Sequence, residues 1–217
     1  RFLVGTCFAR GPAFCHTAAL QGRVDVLQFL VEAGYSLDPV VFEAAIVAGS
    51  LDAVCYLRDV KCPIRGDVCE IAAARGRLDV FEYLHTSGCA LSGKEYRYAA
   101  REGHVSILKY MHACDMLIAA DAWTAAAKCG RLRVLRCLQK IQCSRPDDAC
   151  LSASEGGHLD CLKYLCETGH PIDYERCIAR ARPNSQITSY IRSLRRHRNP
   201  GKLLRFARLF FRQCLVP

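Results

Sequence analysis

Near the C-terminal end, His158, Cys161, Cys166 and His170 are the side chains best suited to hold a metal ion, because imidazole and thiolate together build tetrahedral zinc sites. Their places in the chain favour another use. His158 stands at the same point of a recurring turn as His104, Cys161 takes the place held by Val80 and Val134, and His170 takes that of Cys89 and Cys143. A side chain that interchanges with valine is being used as core. The sequence has no Cys-x-x-Cys, no glycine-rich phosphate loop, no nucleophile elbow and no paired carboxylates at catalytic spacing. No catalytic residue, cofactor or metal site is therefore assigned, and a non-enzymatic protein is expected.

Fifteen cysteines in 217 residues invite a disulfide reading. Cys62, Cys89 and Cys143, however, share one register with Tyr35 and Met116, while Cys15, Cys69, Cys150 and Cys177 share another with Phe42, Tyr96 and Trp123. Thiols that alternate with aromatics and methionine act as small hydrophobes. Their use predicts a reducing compartment, cytoplasm or nucleus.

Charge is distributed unevenly. Of 30 Lys and Arg residues, eleven lie from Arg176 onward, a stretch with none of the 21 Asp and Glu. The rest of the chain is near neutral, so an acidic partner is to be sought at the C-terminal end, where Arg192, Arg195, Arg196, Arg198, Arg205, Arg208 and Arg212 cluster. These arginines could contact RNA or DNA phosphates. Arg205, Arg208 and Arg212 could equally edge a final amphipathic helix that caps the chain or docks on a partner or an anionic membrane surface, and no apolar run is long enough for a transmembrane helix.

The elements behind these residues repeat. Gly22, Gly49, Gly76, Gly103, Gly130 and Gly157 follow one another at a constant interval, with no insertion between copies. Four residues before each glycine begins a mostly small pair: Ala18-Ala19, Ala45-Ile46, Ala72-Ala73, Ala99-Ala100, Ala126-Ala127 and Ala153-Ser154. The pattern predicts a first helix with a small-residue face, a left-handed glycine that turns the chain, and a second helix with an apolar stripe such as Leu78, Phe81 and Leu84. Asp25, Asp52, Asp79 and Asp160 fall where a carboxylate satisfies free amides or favours the helix dipole. Pro39 and Pro146 are expected to open first helices. Tyr56, Tyr83, Tyr110 and Tyr164 mark packing between successive second helices. Helices this short need stacking neighbours to persist.

The motif Ala-Ala-x-x-Gly-x-Leu-Asp-Val-Leu followed by Leu-x-x-x-Gly resembles the ankyrin repeat, and Phe14 to Gly22 is closest, with His16 on that family's Thr-Pro-Leu-His motif. The resemblance covers roughly residues 1 to 192, with a period of 27 in place of the usual 33. It implies an all-α, right-handed helix-turn-helix solenoid with short loops in place of β-hairpin fingers. It also implies a binding face made from first helices and loops. Glu43, Glu70 and Arg97 would form one row of that face, and Asp67, Lys94, Asp121 and Asp148 another. Leu203 to Leu209 resembles the start of the SOCS box that follows some ankyrin arrays, with Ala207 where that motif prefers Cys.

Four segments are expected. Residues 1–12 are the remnant of an earlier repeat, because Phe2-Leu3-Val4 matches Phe29-Leu30-Val31; residues 13–172 are the array; 173–198 form a degenerate capping repeat in which Pro183-Asn184 replaces the glycine turn; and 199–217 form a basic amphipathic helix. The function expected is a protein-protein interaction scaffold or adaptor, with a nucleic-acid-associated component anchored through the basic end as the alternative.

Overall fold

The computed structural model describes residues 11–181 and 186–198. Residues 1–10, the Pro183-Asn184 break and the 199–217 segment with Arg205, Arg208 and Arg212 lie outside the described residues. The chain divides into two compact units, Arg1–Ile118 and Ala119–Pro217.

The first unit holds α1 (Ala13–Leu20), α2 (Val24–Glu32), α3 (Pro39–Ala48), α4 (Leu51–Asp59), α5 (Val68–Arg75), α6 (Leu78–Thr86), α7 (Glu95–Glu102) and α8 (Val105–Ala113). The second holds α9 (Asp121–Lys128), α10 (Leu132–Lys140), α11 (Ala149–Gly156), α12 (Leu159–Glu167), α13 (Tyr174–Arg180) and α14 (Gln186–Arg198). No strand occurs among the described residues. Each unit is thus a stack of helix-turn-helix pairs, the all-α repeat solenoid that the spacing predicts, with loops where fingers would stand.

First helices pack on first helices, α1 on α3, α3 on α5 and α5 on α7 in one unit, and α9 on α11 and α11 on α13 in the other. All six small pairs are buried, as close helix approach requires. Second helices also follow one another, α2 to α4 to α6 to α8, and α10 to α12, with looser contact. Their buried stripe differs by one position from expectation. Val80, Phe81 and Leu84 are fully buried, while Leu78 is only half-buried. Cys161, Leu162 and Leu165 repeat the arrangement with half-buried Leu159. Sequence spacing at i and i+3 finds the face, but the pairing of i with i+1 and i+4 is decided by how each helix leans on its neighbours.

Pro39 stands in the first turn of α3, and Asp38 caps it by accepting from the Val41 amide at 3.0 Å. Pro146 instead precedes the turn that leads into α11. The aspartates at 25, 52, 79 and 160 are the second residues of their helices, where a carboxylate favours the helix dipole, and Asp25 also pairs with Arg23 at 2.9 Å. Their helices start after Arg23, Ser50, Arg77 and His158, of which Ser50 alone accepts an amide, from Ala53 at 3.3 Å.

The turn glycines all have positive φ. Gly49, Gly76 and Gly130 do a second job. A Cβ on Gly76 would lie 2.3 Å from His104 Nδ1, on Gly49 2.7 Å from Arg77 Cδ, and on Gly130 2.6 Å from His158 Nδ1. Arg77, His104 and His158 therefore each lie over the glycine of the preceding copy. From there Arg77 donates to the Val47 carbonyl at 3.0 Å, and the His104 ring meets the Ala74 carbonyl at 3.0 Å. Both carbonyls sit two residues before the earlier glycine.

A second left-handed position, which the glycine pattern shows only in part, ends α2, α4, α6, α8, α10 and α12. Gly34, Lys61, Gly88, Asp115, Gln142 and Gly169 follow at the same interval as the turn glycines, all with positive φ. The amide after each closes a six-residue loop, as in Cys62 to Leu57, Cys143 to Leu138 and His170 to Leu165, the Schellman arrangement.

Gly76→Ala should cost about 3 kcal/mol, the left-handed penalty plus the displaced His104, whereas Gly157→Ala should cost about 1 kcal/mol because nothing stands within 4 Å of its added Cβ. Urea midpoints at fixed slope would measure the difference. Gln142→Gly should raise stability by about 0.5 to 1 kcal/mol in the same assay, since it removes left-handed strain at an exposed site but adds chain entropy to the unfolded state.

Candidate interaction surface

In the first unit Glu43, Glu70 and Arg97 hold the same position on α3, α5 and α7, three helices packed in that order. Glu43 and Glu70 are half-buried and Arg97 is exposed. Arg65, from the loop before α5, reaches back to Glu43 at 3.3 Å, so this row carries its own ion pair. Asp67 and Lys94 immediately precede α5 and α7 and are exposed. In the second unit Asp148 is exposed just before α11, and Asp121 is the half-buried first residue of α9. Neither Asp67 nor Asp148 spends its carboxylate on capping its helix.

Loop residues between these rows escaped the charge pattern. Leu37, Ile64 and Leu91 recur once per copy ahead of α3, α5 and α7, and Ile64 and Leu91 are 40% and 37% exposed. The spacing was there to be read, but aliphatic residues suggest core until exposure is known. Apolar side chains held at the surface in a fixed register beside charged ones are the composition of a contact surface.

Second helices carry a different device. Arg58 on α4 donates to the Ser87 carbonyl at 2.7 Å and lies over the Tyr83 ring; His85 on α6 meets the Tyr110 hydroxyl at 2.9 Å; Arg136 lies over Tyr164, and Lys163 over Tyr190. Tyr83, Tyr110, Tyr164 and Tyr190 each receive a side chain from the second helix of the preceding copy. Such contacts contribute about 0.5 to 1 kcal/mol apiece at exposed sites, and they make the tyrosine column a packing element, as expected from its register.

The basic end is partly visible. Arg192, Arg195 and Arg196 are exposed on α14, and Arg195 pairs with Glu175 of α13. Arg198 is the last described residue, through its backbone alone.

The four candidate metal ligands do not converge. His158 precedes α12 and His170 follows it, so a nine-residue helix, about 14 Å long, separates them. Cys161 is buried in the core. Among the described residues no three His, Cys, Asp or Glu side chains could hold a metal together. The described cysteines are free thiols. Burial raises the thiol pKa of Cys62 to about 11 and of Cys69 to about 12, which keeps both protonated and unreactive. Cys62 also points its Sγ at the Asp38 carbonyl at 3.4 Å, a weak contact available to a thiol and denied to a methyl.

At the end of the second unit, Cys166, Glu167, His170, Ile172, Tyr174, Tyr190 and Leu194 line a cleft of about 110 Å³. His170 is 3% exposed, and its ring centroid is 4.5 Å from that of Trp123. Its Nδ1 lies 3.2 Å from Thr168 Oγ1, and the Thr168 hydroxyl proton is directed at the Tyr164 carbonyl at 2.8 Å. The Thr168 oxygen is then an acceptor, Nδ1 carries the proton, and Nε2 is a lone pair. That lone pair is buried without a hydrogen-bond partner, at a cost of about 1 to 3 kcal/mol. Burial first, and the nearby Arg145 guanidinium second, push the His170 pKa down. Arg145 is fixed there by its bonds to the Thr168 carbonyl at 3.1 Å and Gln139 Oε1 at 3.0 Å.

No family model and no curated protein matches the sequence. Among solved structures the chain is similar to the crystal structure of the human ASB11 ankyrin repeat domain, with a TM-score of 0.66 and 16% identity, over 82% of this chain and 95% of that one. The fold is that of an ankyrin repeat domain. Among the described residues no helix is long and apolar enough to cross a membrane.

The depressed His170 pKa has a defined sign. The unfolded chain takes up this proton near pH 6.5, before the folded chain does, so the stabilisation is present above pH 6.5 and is lost as pH falls toward the folded value. Urea midpoints at pH 7.5 and 5.5 should therefore diverge more for the natural chain than for His170→Gln, and equal divergence would remove His170 as the cause.

Proposed function

We propose that the protein is a non-enzymatic scaffold that binds another protein across its first helices and loops. One observation carries this reading: exposed Ile64 and Leu91, in register with Leu37, lie in the loops that lead into α5 and α7, just ahead of Asp67 and Lys94 and of the helices that carry Glu70 and Arg97. Apolar groups in such a setting lose water on contact, while the charges around them select the partner. Asp121 and Asp148 extend the same register in the second unit. The packed tyrosines and basic side chains of the second helices leave that side to internal cohesion. The likeness to an ankyrin repeat domain supports the reading at the level of fold, and the register-bound thiols support a reducing compartment, cytoplasm or nucleus.

The alternative, RNA or DNA phosphates held by the basic end, has the charge asymmetry in its favour. Against it, Arg195 is already paired within its own unit.

A photocrosslinking residue placed singly at Ile64, at Arg97 and at Arg136 in the native source separates these faces. Adducts with one protein are expected from positions 64 and 97 and none from 136. Adducts from 136 alone, or adducts with nucleic acid, would refute the proposed face. Ile64→Asp combined with Leu91→Asp should weaken capture of that protein at least tenfold while leaving the urea midpoint nearly unchanged.

A further inference from the structure

Cys166 departs from the rule that the other register-bound thiols follow. Its place in the copy is held elsewhere by the polar side chains of Arg58, His85, His112 and Gln139, and it stands half-buried on the wall of the cleft at the end of the second unit. Its neighbour across the helix pair is Cys150, a core thiol 1% exposed, in the register of Phe42, Cys69, Tyr96 and Trp123. Only in this copy do both places carry sulfur.

The two thiols are in contact. Cys150 is hydrogen-bonded to Cys166, and that bond first, with burial second, pushes the Cys150 pKa up. Cys150 therefore keeps its proton and donates it, and Cys166, which borders the cleft, is the sulfur that can carry charge. Glu167 on the same wall and the carboxyl end of α12 oppose that charge, so Cys166 reacts at the pace of an ordinary thiol. What sets it apart is a second sulfur already in place. Cys177, the third thiol of this core, is fully buried and hydrogen-bonded to the Ser154 side chain. Access is limited to small reagents by a cleft of about 110 Å³.

We propose that Cys166 and Cys150 are a peroxide-oxidisable pair, in which hydrogen peroxide entering the cleft at Cys166 leaves a disulfide between α12 and α11. The Cys166 thiolate attacks one peroxide oxygen and the O–O bond breaks. The departing hydroxide takes up the proton that Cys166 released, leaving water and a sulfenic acid. The Cys150 sulfur then attacks the Cys166 sulfur, the S–O bond breaks, and the second hydroxide leaves as water with the Cys150 proton. Two thiols and one peroxide become one disulfide and two waters, the sulfurs oxidised and the peroxide oxygens reduced. A disulfide asks for Cβ atoms about 3.8 Å apart, a condition that thiols in hydrogen-bond contact come close to meeting. The new bond ties the two helices of one copy and closes a loop of about 15 residues.

The reduced full-length protein would be treated with a small excess of hydrogen peroxide near neutral pH, alkylated, and peptide-mapped without reduction. Over minutes to hours a Cys150–Cys166 disulfide is expected, at least about tenfold more abundant than any other pairing and reversed by a dithiol. Cys150→Ala should remove the disulfide and leave Cys166 as a sulfenic acid, captured by dimedone at least about fivefold more than in the natural chain. Cys166→Ser should leave Cys150 reduced, because it is shut off from the cleft. The map of the natural chain decides the matter even where a variant unfolds. Pairing of Cys150 or Cys166 with Cys177, a disulfide between Cys69 and Cys89 in place of this one, or single oxidation of Cys166 with no disulfide would each overturn the assignment. None of these outcomes depends on which face binds a partner, so the scaffold reading stands or falls separately.

Discussion

The joint between one copy and the next depends on an absent side chain. Where Gly49 or Gly76 turns the chain, the missing Cβ leaves room for Arg77 or His104 from the following copy, and that side chain then reaches the Val47 or Ala74 carbonyl. These carbonyls lie in the last turn of a helix, where the backbone has acceptors to spare. A single residue type thus satisfies three requirements: a left-handed turn, close approach, and access to an orphan acceptor. The buried Ala pairs add the complementary condition on the helix flank, since first helices can come together only if their facing side chains are small. Stacking, not helix propensity, holds elements of seven to thirteen residues in place.

Much of this was legible before any coordinates. The period, the Ala pairs and the six glycines define the copies, and the interchange of Cys62, Cys89 and Cys143 with Tyr35 and Met116 identifies thiols that serve as packing groups. The second left-handed position was hidden because Lys61, Asp115 and Gln142 occupy it in half of the copies, and a strained residue looks ordinary in a sequence. The one-place shift of the buried stripe, Val80 in place of Leu78, depends on helix rotation, which spacing alone does not fix. Leu37, Ile64 and Leu91 were invisible as a surface because register reveals equivalence and says nothing of solvent. The register of His170 with Cys89 and Cys143 marks it as a packing position, and it is buried against Trp123, but the lone pair on Nε2 depends on where the Thr168 proton goes, a detail of local geometry.

The two layers of each unit divide the work. Second helices are linked along the stack by basic groups over tyrosine rings, Arg58 to Tyr83 and Arg136 to Tyr164, so these side chains are engaged with neighbouring copies. First helices are drawn together by small residues and leave Arg97 and the loop residues Asp67 and Lys94 exposed. Cohesion and contact can then change independently: a loop residue can vary without touching the joint, and the joint can be kept while the loops diverge.

The joint also has a direction. Its acceptor belongs to the earlier copy and its donor to the later one, and the acceptor is a backbone carbonyl that every residue type supplies. Arg77 and His104 are chemically unlike, yet each meets the same kind of partner, a carbonyl two residues before the earlier glycine. One whole period excised in frame, or one duplicated, brings together ends that already match. A joint of this kind is written in a grammar that permits gain or loss of whole words, since any copy ending in such a glycine can meet any copy whose next side chain reaches back.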